Sequence, residues 1–258
     1  MTVNIRTDMA IELFVGSKKS KGKIVRTDVD LDEQTAKKYG KAAGKYVTIE
    51  SDAVKTLSVK EYKRLAQAIK DVLIELAGDA KSVLIVGLGN PKLTADSLGS
   101  KVFDRLVITR QLGGNGTMIS AVCPNVMGVT GIESFDVIKG VCERIKPNLI
   151  VAVDSLASAT TGRIASAFQL CSSGITPGSG VSNHRMRLDY DSLGCKVISL
   201  GVPLVVYAST IISEAVGDVD IDDQLSELIV TPKDVDFLVS ECADVIAAAI
   251  NTAFVQFE

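Results

Sequence analysis

The sequence predicts an α/β fold, a three-layer sandwich with a largely parallel central sheet and helices on both faces. Two observations predict it. Three short runs are almost wholly apolar, Ser82-Val83-Leu84-Ile85-Val86, Leu149-Ile150-Val151-Ala152-Val153 and Val197-Ile198-Ser199-Leu200, as strands buried on both faces require. Around them lie stretches with apolar residues at helical spacing, and this alternation builds sheets covered by helices.

Taken in order, residues 1–56 are polar and broken by Gly16, Gly22, Gly40 and Gly44, with strand-like runs such as Tyr46-Val47-Thr48-Ile49. A helix follows. Ser58 and Glu61 have capping-box spacing, and Leu57 with Tyr62 is placed to form a hydrophobic staple. Tyr62, Leu65, Ala66, Ile69, Val72, Leu73 and Leu76 share one helical face, and Gly78 is the expected stop. The first apolar strand runs into Gly87-Leu88-Gly89-Asn90. The next helix should begin near Thr94 and turn Leu98, Val102, Phe103 and Leu106 inward. A helix over 134–145 ends before Pro147 and feeds the second strand, which is expected to end at Asp154. The third ends at Gly201-Val202-Pro203. A final helix opens with Thr231, Pro232 and Asp234 and continues through Val235, Leu238, Val239, Cys242, Ile246 and Ala249. With no repeat, low-complexity tract or linker, the chain reads as one domain with an N-terminal extension.

Composition narrows the chemistry. The chain has 258 residues, 47% of them hydrophobic, and a formal charge of −3, so no strong field draws in nucleic acid or an anionic membrane. The basic cluster Lys18, Lys19, Lys21 and Lys23 reads as a solvated loop. Cys123, Cys142, Cys171, Cys195 and Cys242 are scattered, without a CxxC, which suits a reducing compartment. There is no secretory leader and no unbroken apolar run long enough to span a bilayer, so a cytoplasmic protein without a membrane partner is expected. The single histidine, His184, leaves little room for a Ser-His-Asp, Cys-His or zinc site, and it lies in a polar stretch that reads as a loop. Carboxylates are the better candidates, and neither a metal nor a cofactor is expected.

Two acids fall where open α/β sheets gather functional groups, at the carboxyl ends of strands. Asp154 follows the second strand, and Asp96 lies in the turn after the first. Two carboxylates brought close together share a proton, so one deprotonates a water while the other polarises a carbonyl. The plainer reading, Asp96 as a helix cap and Asp154 as a loop tie, stays open on spacing alone. The Gly87-Leu88-Gly89-Asn90 turn is half of a dinucleotide fingerprint, and Lys92 breaks the rest of it. The loop Gly174-Ile175-Thr176-Pro177-Gly178-Ser179-Gly180-Val181 either offers backbone N–H groups to a substrate or is a tight crossover.

The motifs, taken together, resemble a family. Gly87-Leu88-Gly89-Asn90 with Thr94-Ala95-Asp96-Ser97-Leu98-Gly99 is similar to the G-L-G-N…T-P-D-A-L-G motif of bacterial spore germination proteases. Thr130-Gly131-Ile132-Glu133, the stretch from Lys146 to Ser158, the Gly174–Val181 loop, Gly201-Val202-Pro203 and Pro232-Lys233-Asp234-Val235-Asp236 recur in family order. The resemblance implies a phosphorylase/hydrolase-like fold, related to that of hydrogenase-maturation endopeptidases. It implies a homotetrameric endopeptidase of the spore core that degrades small acid-soluble, DNA-coating spore proteins at germination. It assigns Asp96 and Asp154 as the catalytic pair, and points to Gly87, Gly89, Asn90, Gly178, Ser179 and Gly180 for substrate binding. Arg6-Thr7-Asp8-Met9-Ala10-Ile11-Glu12 resembles the family's own processing site, which implies a propeptide over 1–9, self-cleavage at Met9–Ala10 with acid pH as a plausible trigger, and a single protease domain over 10–258.

The chain departs from the family pattern at Ala159, where the family often has Arg, and at Ser172 and Ser173, where an acid is common. It also looks shorter at both ends than typical members. The alternatives are a maturation-type endopeptidase, which adds a histidine to its carboxylates, and a catalytically degenerate sporulation protein, which would be expected to lose one acid. A peptidyl-tRNA hydrolase, suggested by Ile85 to Pro91, lacks its catalytic histidine here.

Overall fold

The polar N-terminal stretch forms strands of its own. In the computed structural model, which describes residues 6–113, 116–177, 186–217, 219 and 222–255, a 3-10 turn at Ala10–Glu12 leads to β1 (Ser17–Lys21), β2 (Ile24–Leu31), α1 (Glu33–Lys38) and β3 (Gly44–Glu50). The chain continues through α2 (Ala53–Thr56), α3 (Val59–Ala77), β4 (Ser82–Gly87), α4 (Leu98–Phe103), β5 (Met118–Val122), α5 (Met127–Thr130) and α6 (Ser134–Ile145). Then come β6 (Leu149–Ser158), β7 (Ala167–Cys171), α7 (Tyr190–Leu193), β8 (Lys196–Tyr207), α8 (Ala208–Val216), α9 (Asp223–Ser226), β9 (Ile229–Val230) and α10 (Val235–Phe254).

The sheet runs β1-β2-β3-β7-β8-β6-β4-β5, with β9 on the end of β8. Pairings β8–β6, β6–β4 and β4–β5 are parallel, and the others are antiparallel. The sheet is therefore mixed, not largely parallel. The expectation failed because β1 to β3 are partly exposed and so lack the uniform apolar signature of the parallel strands. The tight turn from β1 to β2 also forces antiparallel pairing there. The lysine cluster is not a loop either. Lys18, Lys19 and Lys21 lie on β1, exposed at the sheet edge, where charge discourages further strand pairing.

Alternation along the parallel strands splits the core in two. Val83, Ile85, Val151, Val153, Ile198 and Leu200 face α3, α4 and α10. Leu84, Val86, Ile150, Ala152 and Val197 face Phe135, Ile138 and Cys142 of α6. Each fully buried Leu, Ile or Val contributes roughly 1.5–3 kcal/mol. By length and composition α10 would also pass for a membrane-crossing helix, which the sequence reading did not anticipate, but Leu238, Val239, Cys242, Ile246 and Ile250 pack into the core.

Some local expectations needed correction. Ser58 sits at the N-cap of α3, but its side chain makes no cap bond, and Glu61 pairs with Arg64 instead. Leu57 adopts a left-handed backbone and is exposed, so no staple forms. Gly78 does end the helix, donating its N–H to the Ile74 carbonyl. Phe103 points outward while Leu98 and Val102 are fully buried. Strands β6 and β8 run on past Asp154 and past Gly201-Val202-Pro203. Pro203 has no N–H to donate, and the β6–β8 register shifts beside it, between Leu156 and Ala157.

Candidate active site

The glycine motif is explained by contact. A Cβ on Gly87 would lie 2.4 Å from the Gly99 carbonyl oxygen, and one on Gly99 would lie 2.3 Å from that of Leu88. The end of β4 and the first turn of α4 thus touch backbone to backbone. Gly89 has φ +95, and its Cβ would stand 2.1 Å from the Asp96 carbonyl oxygen. Asp96 closes a short 3-10 turn, Thr94–Asp96, and its Oδ2 accepts the Asn90 N–H at 2.8 Å. The Leu88 N–H donates to the Val153 carbonyl, stitching this turn to β6. Asp96 is therefore fixed by a loop that folds back on itself.

Asp154 sits inside β6 rather than at its end, opposite Gly201 of β8. The β4 ladder stops at Gly87 opposite Val153, so Asp154 is the first β6 residue beyond the carboxyl end of β4. Its side chain is buried, and its Oδ1 accepts the Ser155 N–H at 2.9 Å. Asp96, Asp154, Gly89 and Asn90 line one cleft of about 1160 Å³. Gly87 does not; its place is against Gly99. Gly174 to Pro177 reach the cleft, whereas Gly178, Ser179, Gly180 and His184 lie outside the described residues. Among the described residues, no group of three or more His, Cys, Asp or Glu is placed to hold a metal ion.

The N-terminal segment enters the same cleft. Arg6, Thr7 and Asp8 line it, while Met9 and Ala10 are fully buried. The Asp8 N–H donates to the Ala157 carbonyl at 3.0 Å, and the Ala157 N–H donates to Asp8 Oδ2 at 2.9 Å. Met9 packs on Leu156 and Ala167. Its carbonyl accepts the Glu12 N–H at 3.3 Å, so the Met9–Ala10 bond is sheltered in the first turn of a 3-10 helix. Glu12 anchors the far side. It accepts from Ser158 Oγ at 2.6 Å and the Ala159 N–H at 2.7 Å, pairs with Arg163 at 3.1 Å and takes a further bond from the Thr7 hydroxyl.

Sequence reading missed two side chains. Lys41 Nζ donates to the Thr7 carbonyl at 2.7 Å. Burial pushes its ammonium pKa down, against the carboxylates of Asp8 and Glu12. The carboxamide of Gln169 bonds the backbone on either side of Met9. Nothing marked Lys41 within a polar stretch. Gln169 did leave a signal, as the one polar side chain in Ala167-Phe168-Gln169-Leu170-Cys171, a strand buried throughout.

A family model described as germination protease matches residues 4–220. The chain belongs to the germination protease family. The germination protease of Caldanaerobacter subterraneus subsp. tengcongensis is 33% identical over 308 aligned residues, covering 98% of this chain and 95% of that protein. That of Clostridium perfringens is 33% identical, covering 97% and 95%. That of Bacillus licheniformis is 39% identical over 82% of this chain and 66% of its own length. The first two alignments are longer than this chain, so the extra residues of those relatives fall inside the matched region rather than only at the ends, as the sequence reading had supposed. A NiFe hydrogenase maturation protease from Thermococcus kodakarensis aligns with 68% of this chain and 98% of its own, at 19% identity and a TM-score of 0.35, too low to support an argument. Membership supports a spore germination endopeptidase as the activity of this chain.

Proposed function

We propose that this germination protease starts the degradation of small acid-soluble, DNA-coating spore proteins, that it is made as a self-processing precursor cut between Met9 and Ala10, and that Asp96 and Asp154 act as its carboxylate pair. The observation that carries the reading is the shared cleft, in which both carboxylates line the space that Arg6, Thr7 and Asp8 enter. An ionised carboxylate takes a proton from water as the water oxygen adds to the scissile carbonyl carbon. The protonated partner hydrogen-bonds the carbonyl oxygen as negative charge builds there. As the carbon–nitrogen bond breaks, a proton passes to the leaving nitrogen, giving a carboxyl on Met9 and an amine on Ala10. The two acids titrate as a pair, so neither is assigned a fixed role.

The Met9–Ala10 bond is enclosed in this conformation, so the 3-10 turn has to open before water reaches the carbonyl. That order suits a precursor that stays uncut until triggered. The reading also takes in a homotetramer in the spore core, as the family resemblance implies. The test is direct: offer the purified protein, before and after incubation at mildly acid pH, a small acid-soluble spore protein and follow its fragments by mass spectrometry. Fragments cut at sites resembling Thr7–Glu12 are expected, and an intact substrate in both conditions would refute the reading.

A further inference from the structure

We propose that Gln169 is a positioning residue for the Met9–Ala10 bond, an inference that rests on the self-processing reading above. Strand β7 is buried along its length, and Gln169 is 6% exposed. Its carboxamide brackets the residue before the bond: Oε1 accepts the Ala10 N–H at 2.7 Å, and Nε2 donates to the Asp8 carbonyl at 3.1 Å. This grip needs a donor and an acceptor on one planar group, which a carboxamide has. An ionised carboxylate lacks the donor, and an aliphatic chain of the same size lacks both.

The sheet register places this grip two strands from Asp154. Gln169 and Asp154 both pair with Gly201, one from each side. Neighbours in such a row project from the same face of the sheet, so Gln169 and Asp154 share a face, and Gly201 between them carries no side chain of its own. Two strand spacings put their Cα atoms about 9–10 Å apart, a gap that the carboxamide spans in part. The Leu156 side chain covers Gly201 instead, so that a Cβ there would lie 2.6 Å from it and push it aside. The Ala10 nitrogen, which leaves when the bond is cut, is thus held on the Asp154 side of the sheet by a group whose hydrogen bonds to the segment go to peptide backbone. Such a contact serves any peptide laid on β6 in the same manner, whatever its side chains.

Gln169 also has a reason to be refilled. When residues 1–9 leave, the buried Nε2 donor loses the Asp8 carbonyl, an unfavourable state that a second peptide backbone relieves. Lys41 extends the grip by holding the Thr7 carbonyl.

The experiment compares the full chain with Gln169→Leu and Gln169→Glu, following conversion to the form that begins at Ala10 by mass spectrometry between pH 4 and 7. Thermal unfolding of each variant checks that the fold is kept. Displacing the bond by an ångström lowers the rate by about 100-fold, and Gln169→Leu should show that loss at every pH. Gln169→Glu should match it near neutrality and recover toward the wild-type rate as the carboxyl is protonated and regains a donor. A residue with a purely structural role would give no such recovery. Wild-type cutting with an equally fast Gln169→Leu chain, or a Gln169→Glu chain whose rate relative to wild type ignores pH, would overturn this inference alone. A wild-type chain that never cuts would overturn the self-processing reading and this inference with it.

Discussion

Replacing Gly89 with alanine should strike the site through Asp96. At φ +95 the backbone lies in a region that suits glycine, and the added Cβ would stand 2.1 Å from the Asp96 carbonyl oxygen and 2.8 Å from its Oδ1. An L-residue forced to positive φ costs about 1–2 kcal/mol, and overpacking against atoms that cannot yield costs about 1–3 kcal/mol. The sum, roughly 2–5 kcal/mol, is a large share of the ~5–15 kcal/mol that holds a domain folded. At ~2–4 °C per kcal/mol for a chain of this size, melting should fall by about 4–20 °C. Gly131→Ala is the control, since its φ is +73 but its Cβ would meet nothing within 4 Å, so only the backbone term applies. Circular dichroism melting of both variants separates the contributions. A Gly89→Ala chain that melts within about a degree of Gly131→Ala would show that the contact with Asp96 does not constrain the turn.

Other expectations follow from the anchoring of the N-terminal segment and from charge. Glu12→Gln turns one acceptor oxygen into a donor facing Ala159 N–H and removes the charge paired with Arg163. It should cost roughly 2–4 kcal/mol and speed tryptic cutting after Arg6, whereas an unchanged urea midpoint and digestion rate would discount the anchor. Gly201→Ala should displace Leu156 and loosen the seat of Met9, read as faster amide exchange over 8–12; unaltered exchange would argue against that packing. Burial pushes the Asp28 carboxyl up, but the hydrogen bond and charge of Arg26, with Lys45 beside it, hold it below its usual range. Glu75 is held low by its hydrogen bond to Lys45, against burial and with help from Arg26. Folded-state values below the unfolded ones mean that the contribution is present above the ordinary carboxylate range and fades as pH falls through the folded values. The stability gap between wild type and an Asp28→Asn, Glu75→Gln double variant should therefore be open at pH 6 and narrow as pH falls below the ordinary carboxylate range. A gap that widens on acidification would contradict the assignment.

Much of the parallel half was legible because burial on both faces leaves little choice of residue. Strands β4, β6 and β8 announced themselves as apolar runs, and α3, α6 and α10 showed amphipathic or capped patterns. The antiparallel half was not legible. Strands β1 to β3 carry exposed residues such as Lys18, Lys19, Lys21 and Asp30, and the buried Thr27 and Thr48 break their apolar pattern, while β7 is too short to show a period. The strand ends were also misjudged. Asp154 looked like a terminus because polar residues follow it, yet Ser155 and Ser158 continue the β6 ladder against β8. Asp96 was found through a motif whose glycines prove to be contact requirements. Gln169 and Lys41 were missed because their importance depends on a partner far away in sequence, the backbone of residues 7 to 10.

The central claim is that one cleft with two carboxylates cuts this chain's own N-terminal segment. Intact mass measured over time at mildly acid pH for wild type, Asp96→Asn and Asp154→Asn tests it most directly. Wild type should convert to a species beginning at Ala10, and each variant should stay uncut while melting as a folded protein. Conversion of either variant at the wild-type rate would contradict the pairing of Asp96 with Asp154.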